Sequence, residues 1–428
     1  MNGASVSGAP ASDASGRRYK IIIFPLGYLL SHVGRCVQIG KALRARGHDV
    51  SFAGEDPDKN PRSRMGIARD AGFRLIYARE PNFAYAWDRF VKYGWTSTAW
   101  DLAVRHEEWA PLAKILEGHV EVMRHEKPDL VVADATISVS TAAYINGIPA
   151  VGVMNSHAAR FISPTNFFMP AIHAFDALQL ARIRRRVYKK YDRKPVDAIE
   201  LLKSITLVSP DLPGLFNAPE NWPNWNIIGP IHSEPNVPLP EWYEELSDGQ
   251  PNVYITMGST GIMDTFLRRT FDALGKLPCR FVLTTAGQAR EDTLAQAPAN
   301  FRITKYAPGS KILQHCQALI FHGGNGTMYQ GLAAGVPMVA LPSHVEQVYN
   351  IEPGIKHGFA VRLNPKRVKG KQIVDALDQV MNTPSFRQAA ERFAGPVRDS
   401  DGAARAAEIF EQAAREGKPA GAELAARR

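Results

Sequence analysis

The chain has 428 residues, 45% hydrophobic and 22% charged, with 34 glycines and 30 prolines. That is long enough for two or three compact domains and excludes a disordered, fibrous or collagen-like chain. A total of 51 Lys and Arg against 42 Asp and Glu leaves a formal charge of +9, which favours anionic partners: nucleotides, nucleic acid or a phospholipid surface.

Residues 1–17, rich in Gly, Ser, Ala and Asp without an apolar core, read as a flexible leader and not as a secretory signal. Tyr19 to Leu26 (YKIIIFPL) predicts a buried strand. Val33, Val37, Gly40 and Leu43 then fall at helical spacing, Arg46-Gly47-His48 closes that helix, and Asp49 to Ala53 begins a second strand. Asp129 to Ala133 predicts another strand, Ser138 to Asn146 a small-residue helix, and Ala150 to Met154 the next strand. Proline and polar residues concentrate between Pro219 and Gln250, where helix and central strand are both disfavoured, and predict a linker. Alternation then restarts, with strands over 252–257, 280–285, 318–321 and 337–341 and helices over 265–274 and 327–334.

Alternating short strands and helices build parallel sheets covered on both faces. The expected fold class is therefore α/β, with two Rossmann-like doubly wound domains over 18–218 and 251–428 facing across a cleft, and the final helices free to cross back to the first. In open parallel sheets ligands bind beyond the carboxyl ends of the strands, so the loops after strands carry the functional information. The three cysteines, Cys36, Cys279 and Cys316, have no metal-ligand spacing, and an odd, sparse set fits a reducing cytoplasm better than a disulfide framework. No apolar run approaches the roughly 18 residues that span a bilayer, so no membrane span is expected, and peripheral contact stays open.

Phe321 to Gly335 (FHGGNGTMYQGLAAG) lies between a predicted strand and helix. Its glycines permit close backbone approach, and the following helix start aims unsatisfied N–H groups at the loop, which makes an anion seat. It is neither G-x-G-x-x-G nor a Walker loop. The glycines alone leave a phosphate site and a tight turn with a packed His322 equally open.

Val336 to Pro342 (VPMVALP) follows, then His344-Val345-Glu346-Gln347 and Asn350. The joined pattern resembles the nucleotide-sugar motif of family 1 glycosyltransferases of the bacterial natural-product (macrolide) type, which have the two-domain GT-B fold. Ser31-His32-Val33 and the run Ile39 to Val50 are similar to that family's first loop and helix. The resemblance extends from about Tyr19 to the last helix before Gly417. It implies His32 as general base, oriented by Asp134. Imidazole, titrating at about 6.5, accepts a hydroxyl proton at neutral pH, and a carboxylate on its other nitrogen fixes the tautomer. Taken without the resemblance, His32 is equally a helix-start residue with no chemistry, and Asp134 a helix cap.

The resemblance further implies that His322, Gly324, Asn325, Gly326 and Thr327 hold the donor diphosphate, with Gly258 and Ser259 as a second phosphate loop and Glu346 and Gln347 on sugar hydroxyls. Tyr306 and Ala307, in Tyr306-Ala307-Pro308-Gly309, stand where the family often has Trp-Ala-Pro-Gln for base and ribose. Gln330 stands where many relatives with uridine donors have Glu. A deoxythymidine donor therefore stays open beside a uridine one. Phosphate-loop donors neutralise a leaving diphosphate without a metal, so no cofactor is expected. Asp56-Pro57-Asp58 and Asp399-Ser400-Asp401 superficially match a metal-binding D-x-D and read as turn and cap residues.

Two aromatic stretches, Phe83 to Trp100 and Phe161 to Phe175, fall on the side of the cleft where the family binds its acceptor. Phe83, Trp87, Phe167 and Phe168 are the candidate acceptor contacts, for a small aromatic or lipophilic molecule; a helical core stripe explains the stretches equally well. The basic run Arg182 to Lys194 reads as a solvated helix face, with no RNA-binding signature beside it, so nucleic acid is not an expected partner. Together these readings predict a cytoplasmic, inverting hexosyltransferase that moves a sugar from a UDP- or dTDP-sugar. The rivals are a sugar-nucleotide epimerase of the same fold and a non-catalytic helper of a partner transferase. Oligomeric state is open.

Overall fold

The computed structural model describes residues 16–78, 109–158, 185–234, 237–258 and 262–426. Short runs rich in β-branched and aromatic residues, buried on both faces except in the edge strands, form two all-parallel sheets, as expected where helices cover both sides. The first contains β1 (Lys20–Phe24), β2 (Asp49–Gly54), β3 (Arg74–Tyr77), β4 (Leu130–Asp134), β5 (Ala150–Val153), β6 (Thr206–Ser209) and β7 (Trp225–Ile227) in the order β3-β2-β1-β4-β5-β6-β7. The second contains β8 (Asn252–Thr256), β9 (Arg280–Thr284), β10 (Phe301–Thr304), β11 (Cys316–Phe321), β12 (Met338–Ala340) and β13 (Ala360–Arg362) in the order β10-β9-β8-β11-β12-β13.

Both sheets reverse their strand order once, between β1 and β4 and between β8 and β11. The loops after those four strands diverge and leave a crevice at each switch point, and the two crevices carry the candidate site. Strand β1 alternates: Ile22 and Phe24 join a core cluster with α2 (Trp109–Glu126) and α3 (Ile137–Asn146), while Ile21 and Ile23 join one with α1 (Leu30–Ala45). In the second sheet β11 is followed by α4 (Asn325–Ala333), and β12 by α5 (Val345–His357).

One feature differs from the domain outline read in the sequence. The segment 219–250 is not all linker, because Trp225–Ile227 pairs with β6 in the register Leu207↔Trp225 and closes the first sheet. The reason is apolar burial: Trp222 and Trp225 are both buried and meet edge to face at 5.2 Å. The helix α6 (Gly402–Glu416) lies on the first domain, where Ala406, Ala407, Phe410 and Ala414 join the α1 core and Arg46 pairs with Glu411. The chain thus passes between the domains twice. In the described part of the basic run, Val187 and Tyr188 turn inward while Lys190 pairs with Glu117 at 2.9 Å, a solvated helix face. Asp56 accepts from Asp58 N and Asp401 from Ala404 N, turn and cap roles. No described helix is long and apolar enough to cross a membrane.

Candidate active site

His32 lies in the first turn of α1, whose N-terminus has no side-chain cap. Strand β4 ends on Asp134, and the chain leaves it through Ala135 with φ 54°. A left-handed residue bearing a Cβ is uncommon and is a strained turn; Thr136 Oγ1 holds it by donating to the Asp134 carbonyl at 3.0 Å. Because β1 and β4 are neighbours at the switch point, these loops meet although 102 residues separate them, with His32 Nδ1 3.1 Å from Asp134 Oδ2. Asp134 is fully buried. Burial alone would raise its pKa, but the charges of Arg35 and His32 outweigh that and hold the carboxyl ionised, well below the usual range.

Arg35 is the member of this group that the family resemblance does not name. One turn beyond His32, it is buried, its Nε donates to Asp134 Oδ2 at 3.2 Å, and its Nη2 donates to Asp134 Oδ1. The same Nη2 lies 3.0 Å from His32 Nδ1, and Nη1 donates to Asn155 Oδ1 at 2.8 Å. Cys36 Sγ also donates to Oδ2, at 3.4 Å. The local pattern gives no signal for Arg35, which lies off the apolar stripe Val33, Cys36, Val37, Gly40, Leu43; only its burial in the packed helix demands a partner.

On the other side of the cleft, Gly324 caps α4 without a side-chain hydrogen bond, so the first-turn N–H groups of this nine-residue helix are left for a ligand. His322 is caged by glycine. A Cβ on Gly324 would fall on its ring, and one on Gly258 would come within 2.9 Å of its Cε1. Burial, reinforced by nearby His344, lowers the His322 imidazole to about 4 against the pull of the Thr256 carbonyl. At neutral pH the ring is therefore neutral. Gly326 is exposed, and nothing lies within 4 Å of where its Cβ would stand, which leaves room for an anion. Thr327 follows in the same turn, half-buried.

Asn325, expected on the phosphates, has its side chain engaged elsewhere: Nδ2 donates to Asp211 Oδ1 at 2.8 Å, so it offers the ligand its backbone N–H. Asp211, fully buried in the loop after β6, also accepts from Ser156 N and Oγ at 2.7 Å each, and from the Tyr329 hydroxyl at 3.4 Å. It ties the loop after β5 to α4. Gln330 Nε2 donates to Glu234 Oε1 at 3.0 Å, and Glu234 also accepts from Ser310 N at 2.6 Å and Ser310 Oγ at 2.7 Å. Nothing in the local sequence marks Asp211 or Glu234, which lie in proline-interrupted loops; only the packing of distant segments gives them partners.

Tyr306 is exposed, and Ala307 beside it is buried. Gln347 is buried and accepts from Ser343 N at 2.9 Å. Glu346, in the first turn of α5, stands 3.6 Å from His344 Nε2 and 3.8 Å from Nε2 of His157, a residue of the first domain. Burial would raise the Glu346 carboxyl, but His344, His157 and His32 together hold it down at about 2. His32 and Glu346 thus interact across the cleft, and both domains contribute to one site. Ser259, Phe83, Trp87, Phe167 and Phe168 lie outside the described residues.

A family profile described as UDP-glucoronosyl and UDP-glucosyl transferase matches residues 111–399. A PGL/p-HBAD biosynthesis glycosyltransferase of Mycobacterium tuberculosis is 30% identical over 306 residues, 66% of this chain and 70% of its own length. A PGL/p-HBAD biosynthesis rhamnosyltransferase of Mycobacterium bovis is 26% identical over 413 residues, 91% of this chain and 87% of its own. The crystal structure of glycosyltransferase VinC in complex with DTDP superposes with a TM-score of 0.71 at 20% identity, covering 92% of this chain and 100% of that one, a likeness of fold. With two doubly wound sheets facing one composite cleft, the chain belongs to the UDP-glucoronosyl and UDP-glucosyl transferase family and is a glycosyltransferase of GT-B fold.

Proposed function

We propose that this protein is an inverting, metal-independent transferase that moves a sugar from a UDP- or dTDP-sugar to a hydroxyl of a small aromatic or lipophilic acceptor, with His32 as general base. The observation that carries the reading is the pairing of His32 Nδ1 with buried Asp134, on the cleft wall facing the uncapped start of α4. With Nδ1–H donated to Asp134, the Nε2 lone pair takes the acceptor proton as the acceptor oxygen bonds to the anomeric carbon. The bond from that carbon to the diphosphate oxygen breaks, and its electron pair leaves with the phosphate. The charge that develops there meets the free N–H groups of α4 and a neutral His322, groups already oriented before the reaction. In this reading Glu346 and Gln347 hold the sugar hydroxyls and Tyr306 the base. Gln330 makes no demand for a 2′-hydroxyl, VinC was solved with DTDP, and one relative is named a rhamnosyltransferase, so a deoxysugar on a thymidine carrier stands beside a UDP-sugar.

A thermal-shift series with UDP, dTDP, GDP, ADP and NAD in EDTA tests this. UDP or dTDP at about 100 times its dissociation constant should stabilise by about 2.7 kcal/mol; stabilisation by NAD alone, or by none of these, sinks the reading. His32→Ala should keep that stabilisation. It should lower nucleoside diphosphate release, with 4-methylumbelliferone as acceptor, by about 100- to 10,000-fold.

A further inference from the structure

We propose that Arg35 is the positioning residue of the His32–Asp134 pair, placing the ring proton by competing with the carboxylate for His32 Nδ1. The inference rests on the reading of His32 as base. Arg35 Nη2 carries two hydrogens: one is donated to Asp134 Oδ1, and the other faces His32 Nδ1 at 3.0 Å, against 3.1 Å from that nitrogen to Asp134 Oδ2. A guanidinium only donates. When it donates to Nδ1, the ring proton sits on Nε2 and the base is blocked. When Nδ1–H is donated to Asp134, Nε2 is free to accept. The two contacts are of nearly equal length and exclude each other, so Arg35 and Asp134 together set the tautomer.

Arg35 also changes the charge balance. With Asp134 alone, taking up a proton would turn a site of charge −1 into a neutral one; with Arg35 fully engaged on the same carboxylate, a neutral site becomes cationic. The groups facing the ring and its carboxylate are Arg35 and Cys36 from α1, Asp134 from β4, and across the cleft Glu346 and His344, with His157 of the first domain meeting Glu346. Arg35 is the cation nearest the ring among the described residues, and Asn155 holds its far side. Its removal therefore strengthens the hold of Asp134 on a ring proton.

The test uses the full chain with isotope-labelled histidine, the His32 signals being assigned by their loss in His32→Gln. The two ring-nitrogen shifts report the tautomer and, through a pH series, the titration midpoint, with no substrate needed. The outcome is therefore independent of whether the protein proves to be the transferase proposed above. The expected result is a mixture of both tautomers in the wild type. In Arg35→Met the Nδ1–H form takes over and the midpoint rises by about one pH unit, a tenfold gain in proton affinity. Arg35→Lys keeps a cation but lacks the fork, so the tautomer shifts in the same direction with a smaller change in midpoint. A wild type that already holds the Nδ1–H form alone, or a folded Arg35 variant with wild-type tautomer and midpoint, overturns the proposal. Should Arg35→Met fail to fold, the wild-type ratio and Arg35→Lys decide by themselves.

Discussion

Asp211→Ala offers the sharpest check on how the two domains are held. The carboxylate receives Ser156 N and Oγ on Oδ2, and Asn325 Nδ2 and the Tyr329 hydroxyl on Oδ1, in a fully buried place. Hydroxyls can rotate towards other acceptors; the backbone N–H of Ser156 cannot, and turning the Asn325 amide over gains it nothing from an alanine. Two stranded donors at about 1–3 kcal/mol each put the cost of the alanine at about 3–4 kcal/mol. Asp211→Asn provides the control. Its remaining oxygen can serve Ser156, and Asn325 can turn its side chain over, since Asn325 Oδ1 is buried without a hydrogen-bond partner and would gain one from the new amide. The asparagine should therefore cost only about 1 kcal/mol, roughly one neutral hydrogen bond's worth. Urea unfolding followed by tryptophan fluorescence, with buried Trp222 and Trp225 among the seven tryptophans that report it, measures both. An alanine variant within about 0.5 kcal/mol of the parent, or an asparagine as damaging as the alanine, would refute the reasoning.

Gly324→Ala needs no unusual backbone, since Gly324 has φ −72° and ψ 138°, so the fold should hold while the new Cβ displaces the His322 ring. Calorimetric titration should show UDP or dTDP binding weakened about tenfold or more, the loss of one good hydrogen bond; unchanged affinity would remove His322 from the diphosphate site. Glu126 is buried and its carboxyl is held down at about 2, first by its hydrogen bonds from Arg74 and then by Lys20, against the opposing effect of burial. A carboxyl whose pKa falls on folding contributes stability that is fully present above its unfolded value and disappears as pH falls through the folded one. Glu126→Gln should thus cost about 2 kcal/mol at pH 7, discounted for the exposure of Arg74. The difference from the parent should shrink as pH falls from about 4.5 towards 2; a gap independent of pH would contradict this.

The sequence by itself determined the elements that rest on local patterning. Lys20–Phe24, Leu130–Asp134 and Asn252–Thr256 each have an unbroken apolar centre, and each lies within a residue or two of its predicted span. The glycine-rich passage from Phe321 into α4 was legible because only glycine tolerates a ring packed against it and a helix start left open for an anion. Short edge strands were not legible: Arg74–Tyr77 and Ala360–Arg362 are too brief and too polar to stand out, and Trp225–Ile227 is hidden among prolines. Such strands exist because a neighbouring strand supplies the hydrogen bonds that their own sequence cannot secure.

Tertiary structure alone decided the electrostatics of the site. Asp134 is a buried partner of His32 and not a helix cap because parallel pairing of β1 with β4 sets it beside α1, where Arg35 and His32 share its two oxygens. Asp211 and Glu234 acquire roles only when segments about 100 residues away close on them, Asn325 for the first and Gln330 for the second. A carboxylate in a loop has no chemical identity until burial removes its water, and which donors replace that water is a property of the packed chain.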